Sequence, residues 1–180
     1  HLQVIDRLRE SVRLAAGLDD RGRLAQGAQE RALECLQRFG QRLRGLPPQR
    51  IRVVGTNTLR KLREGERFVR EAEAALGHQI EVISGVEEAR LVYSGVTRSM
   101  GPEQPRRLVV DIGGGSTELI IGRLGEPRLM ESVSLGCVLH TQRFFPDGVI
   151  TRARMRSARL AAQVDMEFLE RSESQSGWDV

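Results

Sequence analysis

The residues best suited to chemistry stand together in LVVDIGGGSTELIIG, residues 108–122. Three consecutive glycines, Gly113, Gly114 and Gly115, follow the carboxylate of Asp111 and precede the hydroxyls of Ser116 and Thr117 and the carboxylate of Glu118. Glycines lack a Cβ, so their backbone N–H groups can approach an anion closely and turn toward it. The two hydroxyls can add donors. Asp111 cannot bind a phosphate directly, because like charges repel, but it can hold a divalent cation or a water beside one. The plain alternative is a hairpin whose glycines only make the turn. The flanking Asp111 and Ser116-Thr117-Glu118 favour a phosphate loop. No Lys follows the glycines and a strand rather than a helix is expected next, so this is not the loop of P-loop NTPases.

Two further stretches could carry chemistry. In Ser84-Gly85-Val86-Glu87-Glu88-Ala89 a strand is expected to end and a helix to begin with two acids in its first turn. Acids there complement the helix dipole by a few tenths to about 1 kcal/mol. A carboxylate at the carboxyl end of a parallel strand is also where a general base would sit. Neighbours on a helix point about 100° apart, so only one of Glu87 and Glu88 can face a given site. In GTNTLR, residues 55–60, Arg60 follows a strand end, and its planar fork suits phosphate oxygens. A solvated surface Arg is the alternative.

The elements that must position these groups follow from periodicity and punctuation. Residues 108–122 read as strand, Gly-rich turn, strand. Residues 2–14 alternate loosely and read as one or two strands, and 16–27 as a loop. Residues 24–43 carry Leu24, Ala28, Ala32, Cys35, Phe39 and Leu43 at helical spacing, stopped by Gly45 and Pro47-Pro48. Residues 51–54 and 80–83 read as short strands. Residues 65–76 and 86–97 read as helices, the second with Val86, Ala89, Tyr93 and Val96 on one face. The Gly- and Pro-rich residues 101–105 are taken as the boundary between two lobes, 1–105 and 106–180. Residues 128–134 read as a third strand of the second lobe and 137–145 as a short helix. Thr151 is expected to cap a long helix with Met155, Ala158, Ala162, Met166 and Leu169 inward. Residues 172–177 read as a polar loop and 178–180 as the first residues of a strand. Strand–helix–strand alternation favours a mixed α/β sheet with helices on its faces.

Composition bounds the function. The chain has 180 residues, 39% hydrophobic and 29% charged, which allows an ordinary core. Its formal charge is +4, and Arg greatly outnumbers Lys, which suits a polyanionic ligand or a plain basic surface. Aromatics are only 4%, which disfavours a stacking platform for single-stranded nucleic acid. Cys35 and Cys137 sit in apolar company, make no disulfide framework and suggest buried thiols in a reducing cytoplasm. His1, His78 and His140 form no zinc spacing. No apolar run approaches the ~20 residues of a membrane span. A start on His1 rather than Met suggests a piece of a longer protein.

Taken in order, GTNTLR, ISGVEEARLVYSGV, LVVDIGGGSTELIIG and ESVSLGCV resemble the exopolyphosphatase and guanosine pentaphosphate phosphatase family across essentially the whole chain. The resemblance implies the ribonuclease H-like, actin-like ATPase fold: two mixed-sheet lobes flanking a cleft, here expected to be incomplete at both ends. It implies Glu88 as the catalytic base. Asn57, Arg60, Gly113, Gly114, Gly115, Ser116 and Thr117 are the implied phosphate-binding residues. Asp111 and Glu118 are implied as the acids associated with a metal, Mg²⁺ or a similar divalent cation. The implied reaction is hydrolysis of the terminal phosphoanhydride of inorganic polyphosphate. The alternatives are hydrolysis of guanosine pentaphosphate, or a non-catalytic module that binds polyphosphate or nucleotide. The third Gly of GGGS resembles the exopolyphosphatase branch, since the other branch tends to carry Ala there. The family's first phosphate loop, Asp-Leu-Gly-Ser-Asn-Ser, has no counterpart here. These 180 residues alone are therefore expected to be inactive, and to form a homo-oligomer or associate with the missing segments.

Overall fold

The computed structural model of the chain describes residues 6–100 and 106–176. The backbone packs as two compact units, His1–Val82 and Ile83–Val180. The lobes expected from sequence divide instead at 105/106. The difference is one helix, which packs on the sheet of the second unit.

The first unit is built around two helices. Helix α1, Gln26–Leu43, buries Ala28, Ala32 and Cys35, and helix α3, Gly65–Leu76, buries Phe68, Ala72 and Leu76. The two pack together closely enough that a Cβ on Gly40 would sit 2.4 Å from the Leu76 carbonyl oxygen. Between them lie strand β1, Val54–Gly55, and the four-residue helix α2, Asn57–Arg60. Strand β2, Glu81–Val82, pairs in parallel with β1. Parallel pairing needs a long crossover, which α2 and α3 supply. Both strands are shorter than expected. Residues 51–53 carry no ladder, apart from one bond from the Glu81 N–H to the Val53 carbonyl at 3.0 Å. The strands expected within 2–14 are not formed in its described part. Residues 6–13 are irregular and 14–17 make a single 3-10 turn, because alternation alone makes no strand without a neighbour to pair with. The first five residues lie outside the described residues.

The second unit is a three-stranded antiparallel meander. Strands β3, Arg106–Ile112, β4, Thr117–Arg123, and β5, Glu126–Val133, lie in the order β3-β4-β5. The expected hairpin is therefore present, with Asp111 paired to Glu118 and Ile112 to Thr117 at its closed end. The β4–β5 turn is Leu124-Gly125, with φ of 52° and 82°, the left-handed pair that suits the twist of a two-residue hairpin. Helix α4, Gly85–Ser99, crosses one face of the sheet. Ala89 and Tyr93 of the helix form a buried core with Val109 and Ile120 of the sheet, and Val92, Val96 and Met130 pack against it. Val86, expected on the inward face, is exposed, because the buried stripe runs through 89, 92, 93 and 96 instead. On the other face Leu119 and Ile121 are buried, while Leu108, Val110 and Ile112 of the edge strand are exposed.

Helix α5 spans Cys137–Phe144, and α6 spans Arg152–Ser176. Thr151 caps α6 as expected, its hydroxyl accepting the Arg154 N–H at 3.2 Å. Ala158 is buried, but Met155 is exposed, so the inward face is narrower than the apolar spacing suggests. Residues 172–176 are helical rather than a loop. Glu and Gln favour a helix, and no Gly or Pro interrupts the run before Gly177. The expected linker at 101–105, the side chain of Leu169 and the expected strand at 178–180 lie outside the described residues. Among the described residues no helix is long and apolar enough to cross a membrane.

Helix α4 begins at an N-cap, where the Ser84 hydroxyl accepts the Glu87 N–H at 3.2 Å. Ser84→Ala should cost about 0.5–2 kcal/mol, read as a lower urea midpoint with an unchanged slope. An unchanged midpoint would mean that the cap contributes nothing.

Candidate functional site

The register of the hairpin sets the centre of the site. Directly opposed residues of an antiparallel pair project from the same face, so Asp111 and Glu118 share the face that α4 covers. Ser132 of β5 is opposite Glu118 on its other side. Its hydroxyl donates to Glu118 Oε1 at 2.7 Å.

Glu118 is only 1% exposed. Burial pushes its carboxyl above the usual carboxylate range; hydrogen bonds from Ser132 and Ser116 oppose that rise, and the charges of Glu88 and Asp111 add to it. Three carboxylates therefore share one neighbourhood: Glu118 within the sheet, Asp111 exposed at the end of β3, and half-buried Glu88 on the first turn of α4.

Glu87 has a different environment. Its two oxygens accept from Arg90 Nε and Nη2, each at 2.7 Å, in a fork-to-fork pair one turn along the helix. Neighbouring positions on α4 thus point one acid toward Glu118 and the other into an ion pair.

The glycine turn is held from behind by α5. The N–H groups at the start of that helix would otherwise lack partners. Cys137 donates its N–H to the Gly113 carbonyl at 2.9 Å. Val138 and Leu139 donate to the Gly114 carbonyl at 3.0 and 3.2 Å. Inside the turn the Gly113 N–H donates to the Ser116 carbonyl at 2.9 Å. The Thr117 hydroxyl donates to the Leu135 carbonyl, which ties β4 to the approach to α5. None of Gly113, Gly114 and Gly115 has positive φ, and a Cβ on Gly113 would lie 3.1 Å from the Ser116 carbonyl oxygen.

Of the phosphate-binding residues expected from sequence, Gly113 to Thr117 come together with Glu88, Asp111 and Glu118 in the second unit. Asn57 and Arg60 belong to the first unit. Asn57 is 8% exposed, and its Nδ2 has no hydrogen-bond partner. A buried amide donor without a partner is costly. No three Asp, Glu, His or Cys side chains among the described residues form a metal cage by themselves.

Sequence reasoning gave no role to Ser132 and Gly136, which sit inside ESVSLGCV, so the motif was visible but their role was not. It also gave none to Gly122, where a Cβ would lie 1.9 Å from the hydroxyl oxygen of Tyr93, a residue expected on the inward face of α4.

Residues 1–180 match the Ppx/GppA phosphatase family. The chain belongs to that family. Its fold is the mixed α/β fold of the family's solved members, as the sequence resemblance implied. A guanosine-5'-triphosphate,3'-diphosphate pyrophosphatase of Aeromonas hydrophila is 43% identical over 177 residues, covering 98% of this chain and 36% of that protein. A solved exopolyphosphatase-like protein superposes with a TM-score of 0.84 at 31% identity, covering 91% of this chain and 52% of that one. An exopolyphosphatase from Cytophaga hutchinsonii superposes with a TM-score of 0.80 at 25% identity, covering 89% and 53%. The Ppx/GppA chain described here thus spans about a third of the curated relative and about half of the solved ones.

Proposed function

We propose that the protein hydrolyses the terminal phosphoanhydride of inorganic polyphosphate and releases orthophosphate. The observation that carries this reading is the gathering of Glu88, Asp111 and buried Glu118 beside a glycine turn whose Gly113 and Gly114 carbonyls are already occupied. Glu88 accepts a proton from the attacking water. The new bond forms from that oxygen to the terminal phosphorus, and the bond to the bridging oxygen breaks, leaving the shortened chain with the bridging oxygen's charge. Backbone N–H groups of the turn hold the terminal phosphate, while the Thr117 hydroxyl serves the Leu135 carbonyl and the Ser116 hydroxyl serves Glu118; Asn57 and Arg60 of the first unit are proposed as phosphate-binding residues in their own right.

Asp111 and Glu118 fit the mode in which Mg²⁺ is held by one or two carboxylates and completed by water and substrate phosphate. Glu118 is raised chiefly by burial, with the charges of Glu88 and Asp111 adding to it, and a cation beside the three carboxylates would offset that charge. Bound there, Mg²⁺ would offset charge on the phosphoryl oxygens. Cys35 is buried as expected, whereas Cys137, at the start of α5, is exposed; both are free thiols, which suits a cytoplasmic protein.

The 43% identical relative favours a second reading, in which the substrate is guanosine pentaphosphate. The test is orthophosphate release by the full-length protein from labelled polyphosphate and from guanosine pentaphosphate, with and without a chelator. Chelator-sensitive release, faster from polyphosphate, is expected. Preference for the nucleotide would select the second reading, and binding without release would leave only a binding module.

A further inference from the structure

We propose that Gly136 and Cys137 are positioning residues of the glycine turn, fixing the direction of its anion-facing N–H groups; this rests on the phosphate-binding reading above. Every described peptide is trans, and in a trans peptide the C=O and N–H point in opposite directions. The Gly113 carbonyl is turned toward α5 by the Cys137 N–H, and the Gly114 carbonyl by Val138 and Leu139. The N–H groups of Gly114 and Gly115, which belong to those same two peptides, must therefore point away from α5. The Gly113 N–H is committed within the turn, so these two are the donors that the arrangement presents.

Gly136 makes the arrangement possible. It is buried, and a Cβ there would lie 2.3 Å from the Gly115 nitrogen and 2.4 Å from both the carbon and the oxygen of the Gly114 carbonyl. All three atoms belong to one rigid peptide, so the bare Cα of Gly136 rests against the flat face of that unit. No side chain can yield, and the turn itself would have to move.

The geometry at Cys137 allows a clean test. Cys137 is the first residue of α5, where proline is well tolerated, and Gly136 has φ −118° and ψ 145°, the extended conformation that proline favours before it. Cys137→Pro should leave the helix intact, remove the N–H that holds the Gly113 carbonyl, and put a ring carbon in its place. Cys137→Ala keeps the N–H.

The experiment uses the full-length protein and reads KM and kcat for orthophosphate release, the inhibition constant of inorganic phosphate, the melting temperature, and the amide resonances of Gly114 and Gly115. Cys137→Pro should raise KM and the phosphate inhibition constant about tenfold, the loss of one well-placed hydrogen bond with some added displacement. It should shift the two amide resonances and lower the melting temperature by a few degrees, since the Gly113 carbonyl loses its partner. Cys137→Ala should restore wild-type values, and Gly136→Ala, if it folds, should behave like Cys137→Pro or worse. A Cys137→Pro protein with unchanged amide resonances and an unchanged phosphate inhibition constant overturns the proposal. Absence of phosphate inhibition in the unaltered protein would instead sink the phosphate-binding reading, while shifted amides in Cys137→Pro would still support the mechanical link.

Discussion

Glu88→Gln in the full-length protein should lower turnover by about 10²–10⁴, the usual loss when a general base is removed, while Glu87→Gln should cost far less. The two acids are adjacent in sequence and opposite in circumstance. Glu87 is engaged by Arg90 through both oxygens, and surface pairs of this kind contribute little. Glu88 lies near enough to Glu118 for its charge to raise that carboxyl. The amide of Gln keeps the size and most of the hydrogen bonding of Glu88 but cannot take the proton from water. The substitution should therefore act on kcat with little change in KM. Equal losses at the two positions, or a Glu88→Gln protein with normal kcat, would remove Glu88 from the role of base.

Gly122→Ala should destabilise the second unit by about 1–3 kcal/mol, the usual cost of forcing extra volume into a packed core. The added Cβ would meet three atoms of Tyr93: the hydroxyl oxygen at 1.9 Å, Cζ at 2.1 Å and Cε2 at 2.6 Å. Tyr93 is 2% exposed and shares a core with Ala89, so it has little room to turn aside. Either the ring or the whole of α4 must shift, and α4 carries Glu88. Activity should fall with stability for that reason. Because two ring carbons also collide, Tyr93→Phe should not rescue Gly122→Ala. Urea unfolding of the single and double variants reads the outcome. A Gly122→Ala protein within about 0.5 kcal/mol of wild type would refute this packing.

The hairpin was legible in sequence because two apolar runs flank a block of glycines and because the register of so short a turn leaves Asp111 and Glu118 little choice of partner. Helix geometry left Glu87 and Glu88 open in sequence, and only the motif resemblance singled out Glu88. Ser132 was not legible, because its meeting with Glu118 depends on the β4–β5 register, set by the Leu124-Gly125 turn and an irregularity at Ile121/Gly122. Nor was the role of Gly136: a glycine after a strand looks like punctuation, and only the packed structure shows a peptide lying against it. The strands expected within 2–14 failed for the opposite reason. Local alternation was present, but pairing is a property of two segments, and residues 6–13 have no strand beside them among the described residues. Helix α4 was assigned to the first lobe by its place in the chain, whereas the apolar face of Ala89 and Tyr93 attaches it to the sheet that follows.

The meander also bears on the order in which the chain folds. Strands β3, β4 and β5 are consecutive, and each is joined to the next by a turn of a few residues. Their ladders close small loops at little entropic expense. The β1–β2 pair is parallel and must wait for α2 and α3 to carry the chain back. Contacts close in sequence form fast and distant ones slowly. The pairing of Asp111 with Glu118 should accordingly belong to the earliest structure on the refolding path, and the β1–β2 ladder beside Asn57 and Arg60 to the later phase. Of the two sets of candidate phosphate contacts, the glycine turn would take shape while the other was still being assembled.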